Sequence, residues 1–521
     1  MNGNTRTQNS INNMLTGVLA RASNLVLQMI YRSVFIQILG LTYLSISGLF
    51  TNILTIFSFA ELGIGEAIVF SLYKPIKEQN YEKICGLMQL YKKTYCLIGL
   101  VIWGLGIVFT PFLPFMINGS TEGIENLTLI YLLFVLESGA SYFFSYRQAY
   151  MTACQEQYYL NIWNCIFTIL NKATLIMAII IFKQFIPVLI ISCIWTVVQN
   201  AMISEMAVRK HKYIKNTNGY SIDKSEKVSI VRNIKALVIY KVGTLALNST
   251  DNIIIAKVVG LKWVGLYSNY SVLVSAVTNF ISILFSSITA SIGNLNADKD
   301  CERKESIFYV VNFASFWIYS ISAICFFTAL SPTVAIWIGE EYLVDKTTVF
   351  IIALNIYIGG MLFAPFSYRQ TMGLFVYGKM RPIISAVINI VVSVILGKYM
   401  GLSGVLLGTV IARVTTNVWF DPYIVYKKGF KNKPTKYFLN YILYLFLLLG
   451  GFAIGELVAK ITMFGGVLDI IIHCILCFAC ISTVYCLLFF RTKEFEYLWQ
   501  VVKNILKNMK KKLNDFNTRK L

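Results

Sequence analysis

Arg21, Asn24, Gln28 and Arg32 follow one another at steps of three and four residues through a mostly apolar run. On a helix that spacing puts all four on one face. About 220 residues later the pattern returns as Lys241, Thr244, Asn248 and Asn252, with Asp251 beside the last. An ionised side chain at mid-bilayer costs ~2.5–3.5 kcal/mol on insertion scales, so such groups face a protein interior or a wet cavity. Arginine offers a fixed, always-charged fork to phosphate oxygens, while asparagine and glutamine suit hydroxyls. The chemistry implied is recognition of an anionic, phosphate-bearing ligand. Lys172 and Arg413 also lie inside apolar runs, either lining the cavity or forming structural pairs. Glu61 and Glu66 flank Gly63 and Gly65 and are candidates to pair with Arg21 or to bind a coupling ion. Asp251 either binds a coupling cation or proton, or neutralises Lys241 or Arg32. Arg147 and Arg369 end their runs, where topogenic anchoring and substrate contact are equally open. Glu137, Glu456 and Asp469 rank behind all of these.

Bond-breaking chemistry finds little support. The chain has 2 histidines and 11 cysteines. His211 is in a basic loop, and His473 is alone in an apolar run. Cys474, Cys477, Cys480 and Cys486 share one membrane-length stretch, where packing explains them better than a metal. No HExxH, no phosphate loop and no GxGxxG after a strand occurs. No enzyme activity, metal or cofactor is therefore expected. Nor is a signal peptide expected, since the N-terminus lacks a short apolar core with a cleavage site.

The elements that must carry the polar stripes are membrane helices. Of 521 residues 57% are apolar and 14% charged, against about a quarter charged in soluble chains. About fourteen runs are long enough to cross the bilayer. Six, near 15–39, 44–71, 94–116, 127–149, 159–182 and 186–208, precede a polar stretch at 209–235. Six follow, near 236–259, 265–292, 307–330, 348–366, 382–397 and 402–426, and a last pair lies near 437–459 and 465–490. A cytoplasmic N-terminus puts 73–93, 209–235, 294–306, 367–381, 427–436 and 491–521 inside, with most of the lysines and arginines. The opposite loops hold only Lys183, Lys257, Lys262, Lys346, Lys398 and Lys460. Both termini are therefore expected in the cytoplasm. The net charge of +21 then reflects topology and attraction to anionic lipids, and nucleic acid is not an expected partner. From Lys493 to Leu513, Phe495, Leu498, Trp499 and Val502 share a helical face opposite Lys503, Lys507, Lys510 and Lys511, as in an interfacial helix.

The spans repeat. Gly40-Leu41-Thr42-Tyr43 matches Gly260-Leu261-Lys262-Trp263, and Ser145-Tyr146-Arg147-Gln148 recurs as Ser367-Tyr368-Arg369-Gln370. Matches at nearly one shift, at equivalent places in two six-span halves, imply parallel repeats. The expected fold is all-α and integral to the membrane. It comprises an N-terminal lobe (1–208), a basic cytoplasmic linker (209–235), a C-terminal lobe (236–430), two further spans (431–490) and a basic amphipathic tail (491–521). Gly450-Gly451 and Gly465-Gly466 in the final pair suggest a groove for a lipid tail.

Local motifs extend the reading. Arg32 precedes Ile38-Leu39-Gly40, and Glu61-Leu62-Gly63-Ile64-Gly65 closes the second span. Asp251-Asn252-Ile253-Ile254 precedes Val259-Gly260 and Gly265-Leu266-Tyr267. In these, and in its span count, the chain resembles the polysaccharide (O-antigen type) flippases of the multidrug/oligosaccharidyl-lipid/polysaccharide exporter superfamily. Glu61 departs mildly from that pattern, where aspartate is frequent. The resemblance implies alternating access between two lobes in a bacterial cytoplasmic membrane. The implied cargo is an undecaprenyl-pyrophosphate-linked oligosaccharide, and the implied partners are glycosyltransferases and a polysaccharide polymerase. Arg21, Arg32, Lys241 and Asp251 are the cavity residues it implies. A cation-coupled drug exporter and a lipid II flippase of the same superfamily are the alternatives. A membrane glycosyltransferase would need a carboxylate pair in a sizeable loop, which is lacking.

Overall fold

The computed structural model describes residues 3–61, 64–117, 124, 126–154, 156–215, 250–296, 300–374, 377–378, 380–462, 465–501 and 503. Among these no strand occurs, and ten helices are long and apolar enough to cross a membrane. The chain is thus an all-α, multi-pass membrane protein.

The principal helices in order are α1 (Gly3–Leu39), α2 (Leu41–Phe57), α3 (Ile64–Glu78), α4 (Tyr81–Phe109), α5 (Leu127–Ala140), α6 (Tyr142–Ala153), α7 (Gln157–Phe182) and α8 (Phe185–Lys210). A short turn, Asp251–Ile254, runs through a π-helical stretch, Ile255–Val259, into α9 (Leu261–Asn296). Then come α10 (Cys301–Ile338), α11 (Lys346–Met361), α12 (Phe363–Thr371), α13 (Arg381–Arg413), α14 (Thr435–Ile461) and α15 (Val467–Phe489). The second expected span, 44–71, is not one helix. It ends at Phe57, tightens into a 3-10 turn over Ser58–Glu61 and restarts at Ile64.

The repeat reaches into the backbone. Gly40 and Gly260 both adopt positive φ, 88° and 128°, with ψ of 165° and 155°. Each breaks the chain just before a long helix in a conformation that only glycine reaches without strain. Asn80 caps α4 by accepting from the Lys83 amide, and Asp300 caps α10 by accepting from the Arg303 amide, both at 3.0 Å. Ser141 separates α5 from α6 as Leu362 separates α11 from α12. Lys183 turns between α7 and α8 with φ 51°, and Gly401 turns within α13 with φ 61°. Sequence identity marks only two of these places; backbone geometry marks the others.

Contacts divide the chain into two compact units, Met1–Ala276 with Met380–Gly408 and Val277–Lys379 with Thr409–Leu521. In the first, α1 packs along α7, α5 lies against α4 and α8, and α3 against α4 and α6. Small residues set these distances. A Cβ on Gly139 of α5 would lie 2.1 Å from the Trp103 indole of α4, so the ring closes over bare backbone. In the second unit, α10 is central and packs on α11, α14 and α15. Gly451 is part of that packing, since its Cβ would fall 2.4 Å from Ile324 of α10. Phe495, in the helical stretch 493–501, stacks on Trp317 at 5.9 Å. The rest of the expected tail helix lies outside the described residues, 503 excepted.

A polar knot ties the loop between α6 and α7 to the end of α8. Glu156 accepts from Lys210 Nζ at 3.1 Å and pairs with His211 Nε2 at 2.9 Å. Burial favours the protonated carboxyl, but the His211 and Lys210 hydrogen bonds outweigh it and hold Glu156 below the usual carboxylate range. A carboxylate depressed in the folded state contributes stability above its unfolded pKa and loses it as pH falls through the folded value. Glu156→Gln is therefore expected to lower the thermal unfolding midpoint at neutral pH. The gap from the parent should close as pH drops through the carboxylate range. Unfolding scans across a pH series in detergent read this directly, and a gap constant with pH contradicts it.

Candidate functional site

The first unit gathers two of the expected cations at one place. Arg32 reaches from α1 to α9, where Nη1 donates to Ser268 Oγ at 3.0 Å and Asn269 Oδ1 at 2.9 Å. Asn269 is fully buried, and its Nδ2 finds no acceptor among the described residues. Lys172 comes in from α7. Its ammonium lies 4.3 Å from the centre of the Tyr31 ring, held by the negative face of the aromatic system. Lys172 forms no ion pair among the described residues. Glu137 stands on α5, where Oε1 accepts from Ser192 Oγ and Thr196 Oγ1 of α8, both at 2.8 Å.

This cluster lies where α1, α5, α7, α8 and α9 contribute side chains. α1 and α7 pack along one another, which places position 32 near 172, and α5 packs on α8, which places 137 near 192 and 196. The result is a half-buried guanidinium and ammonium on neighbouring helices, with the Ser268 hydroxyl and the Asn269 amide at the guanidinium, while Glu137 is fixed by Ser192 and Thr196. Such a set can bind an oxyanion: the cations attract it and the N–H groups orient it.

The remaining stripe residues are distributed as follows. Arg21 and Asn24 are exposed on α1 and Gln28 is half-buried, so exposure falls along the stripe toward Arg32. Asp251 and Asn252 open the short turn before the π-helical stretch; both are half-buried, and the Asn252 Oδ1 is buried with no hydrogen-bond partner among the described residues. Lys241, Thr244 and Asn248 lie outside the described residues, as does the Glu66 side chain. Arg413 belongs to the second unit, where Nη1 donates to the Asn355 carbonyl at 3.0 Å and lies close over Gly359.

Glu61 forms a second centre. Tyr95 Oη donates to its Oε1 at 2.6 Å and Tyr142 Oη to its Oε2 at 2.8 Å, while Tyr91 Oη donates to Tyr95 Oη at 3.1 Å. The carboxylate ends the 3-10 turn that interrupts the second span. Gly65 belongs to the same arrangement, since its Cβ would stand 2.8 Å from Tyr95 Oη and 2.9 Å from Tyr91 Oη. Tyrosine hydroxyls thus occupy the space a side chain would fill.

Other candidates are structural. Arg369 is neither an anchor nor exposed to a ligand: it donates to Asp421 Oδ1 at 2.6 Å, and both side chains are 2% exposed. Arg147 Nη1 donates to Ser204 Oγ at 3.1 Å. Glu456 pairs with Lys346 at 2.8 Å on the surface. Asp469 accepts from the Gly465 amide at 2.9 Å. His473 is fully buried between Thr328 Oγ1, at 2.7 Å, and Thr462 Oγ1, at 2.9 Å, and so cross-links helices through hydroxyls.

No protein-family model matches the chain, and no curated protein matches it in sequence. Solved structures do match in fold. A structure of lipid II flippase MurJ in an inward closed conformation is 15% identical, with a TM-score of 0.60, covering 92% of this chain and 100% of its own. An inward-facing multidrug resistance MATE family transporter of the MOP superfamily is 14% identical, with a TM-score of 0.62, covering 79% of this chain and 99% of its own. A mutant of the Vibrio cholerae MATE transporter VcmN is 12% identical, with a TM-score of 0.58, covering 82% of this chain and 98% of its own. These neighbours are flippases and transporters rather than enzymes. The chain has the fold that MurJ and the MATE transporters share.

Proposed function

We propose that the chain is a flippase of the bacterial cytoplasmic membrane with both termini in the cytoplasm. Its cargo would be an undecaprenyl-pyrophosphate-linked oligosaccharide, moved from the inner to the outer leaflet for surface polysaccharide biosynthesis. One observation carries most of the support: Arg32 and Lys172 stand together on membrane-length helices, with buried hydroxyl and amide groups beside them. A pyrophosphate would supply acceptors for the Lys172 ammonium, the remaining Arg32 nitrogens and Asn269 Nδ2, and Asn24 and Gln28 on the same helix suit sugar hydroxyls. Arg21, Lys241, Asn248, Asp251, Asn252 and Arg413 would extend the cavity. The lobes 1–208 and 236–430 would rock in alternating access around the bound headgroup. Glu61, Glu66 and Asp251 are the candidates for coupling that motion to an ion. Anionic lipids would hold the basic tail, and glycosyltransferases and a polymerase would make and consume the cargo.

A second reading, transport of lipid II, is favoured by the MurJ likeness, which covers more of this chain than the MATE structures do. Export of cationic drugs fits less well, because a pair of cations repels them. The test is transport in liposomes with a fluorescent polyprenyl-pyrophosphate sugar. The expected result is protein-dependent translocation that Lys172→Ala slows roughly ten- to a hundredfold, the loss of one charge-assisted phosphate contact worth ~1.5–3 kcal/mol. Parent-like rates in both Lys172→Ala and Arg32→Ala would sink the reading. Translocation of lipid II alone would select the second one.

A further inference from the structure

α7 carries a polar stripe of its own, and it leads to Lys172. Gln157, Asn161, Asn164, Thr168 and Asn171 follow one another at alternating steps of four and three residues, so they share one face. The opposite face holds Ile162, Ile166, Ile169 and Met177, all exposed, as the lipid side of a membrane helix is. We propose that this stripe seats the uncharged, hydroxyl-rich sugar chain of a lipid-linked cargo whose pyrophosphate lies at Arg32 and Lys172. The inference rests on the flippase reading and deepens it by giving the sugar a place within the first unit.

Neighbouring helices answer the stripe with amides. Gln199 Nε2 of α8 donates to Asn164 Oδ1 at 3.2 Å, and Gln148 Nε2 of α6 donates to Asn200 Oδ1 of α8 at 3.1 Å. Within α7, Gln157 Nε2 donates to Asn161 Oδ1 at 3.3 Å, and Asn161 Nδ2 donates to Thr16 Oγ1 of α1, also at 3.3 Å. These amides of α6, α7 and α8 are all half-buried. With Thr16 at Asn161 and Tyr31 at Lys172, α1 and α7 run side by side in the same sense. Asn24 and Gln28 belong to the stretch of α1 between those two ties.

The bonding suits a ligand better than a simple cross-link between helices. Both interhelical amide pairs are longer than the usual N–H···O distance of about 2.9–3.0 Å, so exchanging them for ligand hydroxyls costs little. Each pair engages one of two N–H donors and one of two carbonyl lone pairs, and a sugar hydroxyl likewise donates and accepts. Asn171 Oδ1, beside Lys172, is buried and accepts from no donor among the described residues. From Gln157 to Asn171 the stripe has no ionisable group, and Arg147, next to Gln148, donates to Ser204 Oγ at 3.1 Å. Neutral sugars therefore fit it better than acidic ones. Beyond Lys172 the face turns apolar with Leu175, Ala178 and Ile179, all buried, and Phe35 meets Phe185 edge-on at 5.4 Å. The polar surface thus runs from the Gln157 end of α7 to the cations and stops, a rise of ~21 Å that accommodates a short oligosaccharide. In the proposed topology the Gln157 end is cytoplasmic, where the cargo is loaded.

The experiment measures binding of two probes to the whole chain in nanodiscs: a short-chain polyprenyl diphosphate, and the same lipid carrying a neutral oligosaccharide. The parent should bind the glycosylated probe at least tenfold more tightly. Asn164→Leu with Gln199→Met removes an amide pair without stranding either partner, so the fold should hold; Gln148→Met with Asn200→Leu does the same for the other pair. Each double variant should lose most of the glycan's advantage and bind the bare diphosphate as the parent does. Equal affinity of the parent for both probes overturns the proposal, as does an undiminished advantage, or equal loss of both probes, in the folded variants. A diazirine on the outermost sugar should label the parent on α7 near Gln157, and label confined to the second unit overturns the proposal without any variant. Arg32→Ala and Lys172→Ala separate the two levels: parent-like affinity for the bare diphosphate in both removes the flippase site, and with it this inference.

Discussion

Arg32→Ala is expected to reduce translocation of a polyprenyl-pyrophosphate sugar by roughly ten- to a hundredfold, the kinetic equivalent of ~1.5–3 kcal/mol. Arg32 is the stripe residue on which the proposed site rests: its guanidinium is half-buried and oriented by Ser268 and Asn269 through one nitrogen alone. The rest of the fork is left for a ligand. Removing it takes away both the charge and the planar geometry that matches phosphate. It also strips Asn269 Oδ1 of its donor, which by itself costs ~1–3 kcal/mol of stability. Rates must therefore be normalised to folded protein, and Arg32→Lys is the informative companion. Lysine keeps the charge and one donor, so its translocation should fall between the parent and the alanine variant. A lysine variant as slow as alanine would mean that geometry outweighs charge. An alanine variant as fast as the parent would remove Arg32 from transport.

Much of the fold was legible because lipid imposes a simple rule on sequence. A span must be long and apolar, so most of the expected runs recur as helices within a few residues, α7 and α8 nearly end for end. The repeat was visible at Gly40 and Gly260, where backbone conformation demands glycine. It was invisible at Asn80 and Asp300, or at Lys183 and Gly401, where different side chains serve the same turn. The break in the second span was only hinted at by Gly63 and Gly65. What enforces it in structure is a carboxylate held by two tyrosines that come from 34 and 81 residues away.

The candidate site was half legible for the same reason. Spacing on α1 identified Arg32, and an isolated charge in an apolar run identified Lys172. That the two meet over Tyr31 depends on α1 packing along α7, which periodicity does not encode. Glu137 ranks low in sequence because nothing near it is charged; the two hydroxyls that fix it come from α8, more than 50 residues away. Ser268 and Asn269 carried no signal, being ordinary small polar residues in a long span. Arg369 shows the opposite error. The identical tetrapeptide at 145–148 and 367–370 suggested equal roles for Arg147 and Arg369, yet Arg147 meets a serine and Arg369 an aspartate.

That ion pair supports the second large prediction. Arg369 and Asp421 are held 2.6 Å apart with both side chains 2% exposed, and the Arg369 guanidinium lies 5.7 Å from the Phe420 ring. Arg369 Nη2 also donates to the Tyr377 carbonyl, which ties the chain after α12 to the segment Trp419–Ile424. Replacing a buried pair with apolar groups can be neutral, but removing one partner strands the other charge and costs ~3–5 kcal/mol. Asp421→Asn should therefore sharply lower the yield of folded protein and the unfolding midpoint, as should Arg369→Ala. Arg369→Met combined with Asp421→Leu should recover a large part of the loss, because no unpaired charge remains buried. Recovery of folding with transport intact would make the pair a structural lock of the second unit. Recovery of folding without transport would mean that the buried charge takes part in the conformational cycle, a role that burial alone does not predict. Full stability in the single variants would contradict the burial argument itself.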